Sequence, residues 1–252
     1  MAHFILQTGA MSLDLEEILL EKELKRSRLV HSYEKTKFDD LISGTDYPVG
    51  DIKFVEKYLG IKENPIELPK YLRTDEFLKR DYRIVDYTQV PWSGQFFLKD
   101  VSSLKEFGQV INATYMDMND LFNHVKTGEF DSTLVLDKTH LFQVSSIFNY
   151  KAEYRVYIIG GVVENICLYN GSPLYQPDIN LIQKVVNLVT LHEKWLISYT
   201  IDVMVGKEGT AIVEIHNFAS VGLYSTQWGS ELPYAYIDGI NYLRNDNKLL
   251  EV

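Results

Sequence analysis

The residues best suited to chemistry lie between Tyr199 and Tyr224, in YTIDVMVGKEGTAIVEIHNFASVGLY. The segment reads as two strands joined by a tight turn, with an acid on each. Alternate residues of a strand share a face, which places Asp202 with Thr200 and Met204, and Glu214 with Ile212 and His216. A three-residue loop, Lys207-Glu208-Gly209, puts Gly209 at the left-handed position such loops favour, and that register sets Asp202 directly opposite Glu214. Opposed carboxylates destabilise a sheet unless positive charge lies between them, and magnesium is the usual ion for an oxygen-rich site. The competing reading is a partly exposed hairpin whose acids simply face water.

Cations stand upstream of these acids. Lys99 ends the aromatic strand Gln95-Phe96-Phe97-Leu98-Lys99, from which a lysine can reach a phosphate as a point charge or can face solvent. Arg155 lies among apolar residues in EYRVYII, on the face it shares with Glu153 and Tyr157. A guanidinium there is costly to bury unless paired, so its partner is either Glu153 or an external phosphate or carboxylate. Lys70, Arg73, Lys79, Arg80 and Arg83 give one further stretch a basic bias. It is either a solvated face or a wall for an anionic ligand.

The elements that must position these groups follow from local patterns. His3 to Gln7 is a short apolar strand, and an amphipathic helix with acids in its first turns begins near Leu13. Leu29 to Tyr33 is a second strand candidate. Asp51 to Leu59 reads as a helix closed by Gly60, and Lys62 to Pro69 as a loop. Ser103 to Glu106 forms a capping box, Asp117 to Lys126 a helix, and Thr133 to Asp137 and His140 to Val144 strands. Gly160-Gly161 between β-rich runs marks a hairpin with a two-residue turn. Asp178 caps an amphipathic helix with its stripe at Ile179, Ile182, Val185, Val186, Val189 and Trp195, and His192 reads as a rim residue. A last short helix is expected from Tyr234 to Leu243.

Composition bounds the function classes. The chain has 252 residues, 46% hydrophobic and 24% charged, enough for a sizeable core and one domain of two or three lobes. A net charge of -10 argues against a generic binder of nucleic-acid backbones. Cys167 is the only cysteine, which excludes an intramolecular disulfide and a cysteine metal cluster and fits a reducing compartment. The N-terminus has no signal-peptide pattern and no apolar run is long enough to span a bilayer, so the expectation is a soluble, cytoplasmic protein. Neither a G-x-S-x-G, an H-E-x-x-H, a Walker-type loop nor a G-x-G-x-x-G occurs in the sequence, and Cys167 reads as packed mid-strand rather than reactive.

The order of a strand lysine, an EYRV strand, a helix and then D…E-I-x-x…GLY resembles the ATP-grasp superfamily, in particular its compact amidoligase-like branch found in phages and bacteria. The resemblance covers about residues 90 to 228, and more faintly PVGDIKFVEKYLG in the N-terminal part. It implies an α+β fold in which two α+β lobes, residues 89–252 with a hinge near 141–150, grip ATP behind a small α/β lobe of residues 1–88. It also implies an ATP-dependent carboxylate-amine ligase that activates a carboxylate as an acyl phosphate for attack by an amine. Lys99 matches the family lysine that reaches the nucleotide phosphates, and Lys105 in LKEFG matches a second. The stretch Leu141 to Ser146, with Gln143 and Val144, falls where the hinge meets adenine. Arg155 matches an arginine facing the reacting phosphate or the substrate carboxylate. Asp202 and Glu214 match the acids that hold magnesium against the β- and γ-phosphates.

The chain departs from the family at one point. The usual pattern after the metal-binding Glu is E-x-N, but here His216 occupies the asparagine position and Asn217 follows it. A shift of one residue turns Asn217 to the opposite face unless a bulge intervenes. Imidazole also suits a softer ion better than magnesium. The metal set implied is therefore Asp202, Glu214 and either His216 or Asn217. The departure sustains a second reading, a catalytically weakened ATP-grasp domain that binds nucleotide or a partner protein, and a third is an unrelated α+β protein with surface acids. The carboxylate donor and the amine acceptor are not legible in the sequence.

Overall fold

Among the described residues, parallel pairing near the N-terminus and antiparallel pairing thereafter divide the strands among three sheets. A computed structural model describes residues 2–9, 15–26, 31–62, 67–101, 108–114, 141–225 and 227–250. The first sheet has the order β2-β1-β3, built from β1 (Ala2–Thr8), β2 (His31–Lys37) and β3 (Tyr47–Val49), all parallel. Its central strand buries Phe4, Ile5 and Leu6 in succession, as a parallel strand covered on both faces must. Helix α1 (Leu15–Arg26) lays Leu19, Leu20 and Leu24 against it. Helix α2 (Ile52–Leu59) begins where the Asp51 side chain accepts from the Phe54 amide at 2.9 Å and ends at Gly60, whose φ of 66° is left-handed, as its sequence signals require. Strand β2 runs further than expected, to Lys37, and residues 29 and 30 lie outside the described residues.

After one turn of helix, α3 (Asp75–Leu78), the middle sheet assembles as β4-β7-β5-β6 from β4 (Tyr82–Asp86), β5 (Gln95–Asp100), β6 (Gly108–Asn112) and β7 (Leu141–Ser145). Alternation sorts its faces. Phe96, Leu98, Phe142 and Val144 join one core, while Phe97, Lys99, Gln143 and Ser145 face the other way. Strand β4 precedes the expected lobe boundary at 88 yet hydrogen-bonds to β7 in this sheet. The expected capping box at Ser103, helix at 117–126 and strand at 133–137 fall outside the described residues.

The third sheet has the order β11-β10-β8-β9, from β8 (Tyr150–Ile159), β9 (Val162–Gly171), β10 (Tyr199–Gly206) and β11 (Gly209–Asn217). Gly160 and Gly161 form the expected two-residue turn, with φ of 60° and 79° that only glycine adopts cheaply in succession. Helix α4 (Ile179–His192) starts at Asp178, whose carboxylate accepts from the Asn180 and Leu181 amides. It packs Ile182, Val185, Val186 and Val189 on the face that carries Val156, Ile158, Ile201 and Val203. Two members of the expected stripe do not join it: Ile179 and Trp195 are exposed, and the helix ends before Trp195. The opposite face of the sheet carries Tyr157 and Ile159 into a core shared with the first sheet. Helix α5 (Leu232–Leu250), longer than expected, closes that core with Leu232, Ala235 and Tyr236. The three sheets and their helices make the expected α+β architecture.

Candidate active site

The hairpin β10–β11 turns on two residues, since Gly206 pairs with Gly209, rather than on the expected three. Such a turn alone would slip the acids by one place. A bulge at Val213 restores the register, so Asp202 pairs with Glu214 as expected. On the other side of β10, Asp202 pairs with Arg155 of β8. Three adjacent strands thus set Arg155, Asp202 and Glu214 in one row, on the face away from α4.

Within the chain, Arg155 is paired by Asp202 rather than by Glu153. Its Nε donates to Asp202 Oδ1 at 2.8 Å and its Nη2 to Oδ2 at 2.7 Å, and Nη1 reaches the Gly222 carbonyl at 3.4 Å. The Asp202 side chain is 2% exposed and that of Arg155 13%. Burial works against the guanidinium's charge, but the bonds and charge of Asp202 outweigh it and push its pKa above the ordinary value. The rings of Tyr169 and Tyr224 stack at 5.0 Å, with the guanidinium 5.9 and 5.1 Å from their centroids. Glu153 instead accepts from the Tyr169 hydroxyl, and burial raises its carboxyl pKa.

Lys99 reaches from the middle sheet to the third, where its Nζ bonds Glu214 Oε2. The other Glu214 oxygen lies 2.6 Å from His216 Nε2. Burial works to raise the Glu214 carboxyl, yet the His216 bond and the charges of His216 and Lys99 hold it well below the usual carboxylate range. One ligand atom from each of Asp202, Glu214 and His216 lies within 4.8 Å of the others. Asn217 points away from this group: it is 2% exposed, and its Oδ1 accepts from the Ala219 amide at 2.9 Å, shaping the chain after the strand.

Between the two sheets lies a cleft of about 530 Å³, with Lys99, Gln143 and Ser145 on one wall and Glu153, Met204 and Glu214 on the other. Gln143 therefore lies in the cleft, whereas Val144 is turned into the core of the middle sheet. Lys105 falls outside the described residues. Several cleft residues escaped the sequence reading. Ile147 and Phe148, from the connection between the sheets, and Tyr150, the first residue of β8, supply apolar surface. Arg80, one of five basic residues in an ambiguous run, also lines the cleft, and its guanidinium bonds the Ile212 carbonyl at 2.9 Å beside the bulge. Lys79 and Arg83 of that run are exposed.

A fold of two sheets facing across a cleft, with a lysine on one and an acid row on the other, defines the class. The chain belongs to the ATP-grasp domains: the model of an ATP-grasp domain family, the second family of its clade, matches residues 77–230. Solved structures extend the likeness over the full fold. A RimK domain ATP-grasp protein from Sphaerobacter thermophilus superposes with a TM-score of 0.53 at 11% identity, over 97% of this chain and 98% of its own. The D-alanine–D-alanine ligase of Bacillus anthracis complexed with ATP gives 0.52 at 12%, over 98% and 99%. D-cycloserine synthetase DcsG gives 0.53 at 12%, over 99% and 100%. At such identities the likeness speaks to the fold. No curated protein matches the chain. Among the described residues, no helix is long and apolar enough to cross a membrane.

Proposed function

We propose that the protein is an ATP-dependent ligase that joins a carboxylate to an amine through an acyl phosphate. The observation that carries this reading is the cleft itself, a nucleotide-sized space with Lys99 and Glu214 meeting across it and the Arg155–Asp202–Glu214 row beside it. Two fold neighbours are named a ligase and a synthetase, which agrees with the reaction class. On this reading the first sheet and its helices form the preceding lobe, and residues 146–149 connect the two gripping lobes. Gln143, Phe148 and Tyr150 would take the base, and Lys99 and Arg80 the phosphates. Phosphoryl transfer asks mainly for positioning and for neutralising charge as it spreads over the transferred group, and these residue types supply both. Arg155, fixed by Asp202 and walled by two tyrosines, would orient the carboxylate whose oxygen attacks the γ-phosphorus as the bond to ADP breaks. The amine nitrogen then bonds to the acyl carbon as phosphate leaves.

The donor set fits a divalent ion. Asp202 and Glu214 offer carboxylate oxygens with lone pairs beyond those facing Arg155, Lys99 and His216, and His216 supplies a softer third donor. Bound magnesium would neutralise phosphate charge there. The acids' pairing with the chain's own cations also supports the second reading, a weakened domain that binds nucleotide without turnover. Thermal melts separate the readings. Magnesium and ATP should raise the melting midpoint of the natural chain but not of Asp202→Asn or Glu214→Gln, and pooled amino acids and amines should elicit ADP release. No nucleotide shift at all defeats both readings. A shift without ADP, with turnover gained by His216→Asn, favours the weakened domain.

A further inference from the structure

Asp202, Glu214 and His216 present two carboxylates and one imidazole on a single face of the third sheet. Asp202 pairs with Glu214 and Thr200 with His216, and alternation along β11 keeps His216 on the side of Glu214. The imidazole is aimed at the acid and not merely near it, since its Nε2 lies 2.6 Å from Glu214 Oε1. The side chains of His216 and Glu214 are 15% and 23% exposed, so solvent and small ions reach both. The neighbouring amide does not take that place. Asn217 is turned to the opposite face, with its Oδ1 committed to the Ala219 amide.

Donor type separates the divalent ions. Magnesium is a hard ion that keeps several of its waters and takes carboxylate oxygens in a near-ideal octahedron. Imidazole suits the borderline first-row ions, among them cobalt(II), iron(II) and zinc. A magnesium ion would use the two carboxylates and leave His216 bonded to Glu214. A borderline ion would use all three side chains, with Nε2 exchanging its bond to Oε1 for the ion. The three ligand atoms lie within 4.8 Å of one another. Two metal–ligand bonds of about 2.1 Å span at most about 4.2 Å, so side-chain rotations of roughly half an ångström close the group. Lys99 opposes every ion equally, because its Nζ holds Glu214 Oε2 and must withdraw whichever ion enters. The preference between ions therefore rests on His216 and not on the charge of the site.

We propose that His216 sets the ion preference of this group, making it selective for a borderline first-row ion over magnesium. The inference rests on the metal set of the ligase reading above and adds the class of ion to it, but it does not require turnover. It concerns the one donor that distinguishes this chain's group from a site built of oxygens alone.

The test is equilibrium binding of cobalt(II) and of magnesium to the full chain without nucleotide, cobalt followed by its visible absorption and magnesium by its displacement of cobalt. Cobalt ranks high at nitrogen and oxygen sites in general, so the deciding quantity is the change in the cobalt-to-magnesium affinity ratio on substitution. His216→Asn, which leaves an oxygen donor at the position, should lower that ratio by about tenfold or more and shift the cobalt spectrum as a nitrogen ligand is lost. Glu214→Gln should lose both ions. Should His216→Asn fail to fold, His216→Gln carries the same comparison. A ratio unmoved by the substitution overturns the proposal, as does the absence of cobalt binding, or cobalt binding that survives Glu214→Gln and so sits on other histidines. A ratio that falls as expected in a chain that no nucleotide stabilises supports the ion preference while defeating the ligase reading. ADP release with magnesium and an amine, in a chain whose ion ratio ignores His216, overturns the ion preference and leaves the ligase reading standing.

Discussion

Replacing Arg155 by methionine keeps most of the apolar stem and removes the guanidinium, leaving the Asp202 carboxylate at 2% exposure with its two hydrogen bonds gone. The same change removes a cation from a region where the charges of Asp202 and Glu214 already act to raise the Glu153 carboxyl. Breaking a buried ion pair by deleting one partner costs about 3–5 kcal/mol. A charge pair near 4 Å at an effective dielectric of about 20 gives roughly 4 kcal/mol, the same scale by a separate route. For a chain of this length each kcal/mol moves the midpoint by about 2–4 °C, so Arg155→Met should melt about 6–20 °C lower. Urea unfolding of the natural chain, Arg155→Met, Asp202→Leu and the double variant closes a cycle. The double variant should be more stable than the sum of the singles implies, by about 2 kcal/mol or more, because neither charge is then stranded. A cost below about 1 kcal/mol for Arg155→Met, or an additive cycle, would show that the pair is solvated and that the argument from burial is wrong.

Other perturbations test separate parts of the structure. Asp51→Ala removes the cap of α2 and the acceptor for Gln7 Nε2, and urea unfolding should register a loss of about 1–2 kcal/mol, mostly recovered in Asp51→Asn. Gly239→Ala would place a Cβ 2.4 Å from the Ala219 nitrogen, so α5 must retreat from the chain after β11 at a cost of about 1–3 kcal/mol, whereas Gly222→Ala meets only ordinary contacts and should fold as the natural chain does. The Glu21 carboxyl is held down to about 2, from 4.5, by hydrogen bonds from Lys25 and Lys35. A depressed folded-state pKa stabilises above the unfolded value, so the stability gap between the natural chain and Glu21→Gln should be full above pH 4.5 and close as pH falls towards about 2. Lys99→Met should weaken ATP binding by about tenfold or more while tightening binding of magnesium alone, since Glu214 loses its cationic partner; loss of both affinities together would assign Lys99 a structural role.

Local signals in the sequence were reliable where one element decides the outcome. The paired glycines at 160 and 161, the caps at Asp51 and Asp178, and the left-handed Gly60 all act through their own backbone. The Asp202–Glu214 pairing was legible too, but the turn and the pairing came from different places. Val213 forms the bulge, and a valine carries no bulge signal of the kind glycine does. What sequence pattern cannot report is which sheets meet. Arg155 finds Asp202 because β8 lies beside β10, an order set by the fold. Arg80 separates from its basic neighbours only once α3 packs against the third sheet. Glu17 read as an acid placed for a helix dipole, yet it is 9% exposed beside Tyr236, whose hydroxyl is hidden in a helix that reads simply as aromatic. His216 is the converse case: spacing alone put it on the acids' face and Asn217 off it, and both lie so.

The charge arrangement explains how such a site can exist before any ligand arrives. Two acids directly opposed on adjacent strands repel, and both are mostly withdrawn from water. The chain meets this with its own cations: Arg155 grips Asp202 through two bonds, and Lys99 crosses from the middle sheet to Glu214. The two partnerships differ in what they allow. Arg155 is fixed within the third sheet by a planar fork and by the Gly222 carbonyl, so it can orient a carboxylate without leaving Asp202. Lys99 is a point charge on a flexible stem, with 23% of its side chain exposed in the cleft. On the ligase reading Lys99 would leave Glu214 to reach a phosphate, and Glu214 with Asp202 would hold the divalent ion whose charge replaces it. On that reading nucleotide and metal would each favour the other's binding, because either alone would strand a charge that the other satisfies.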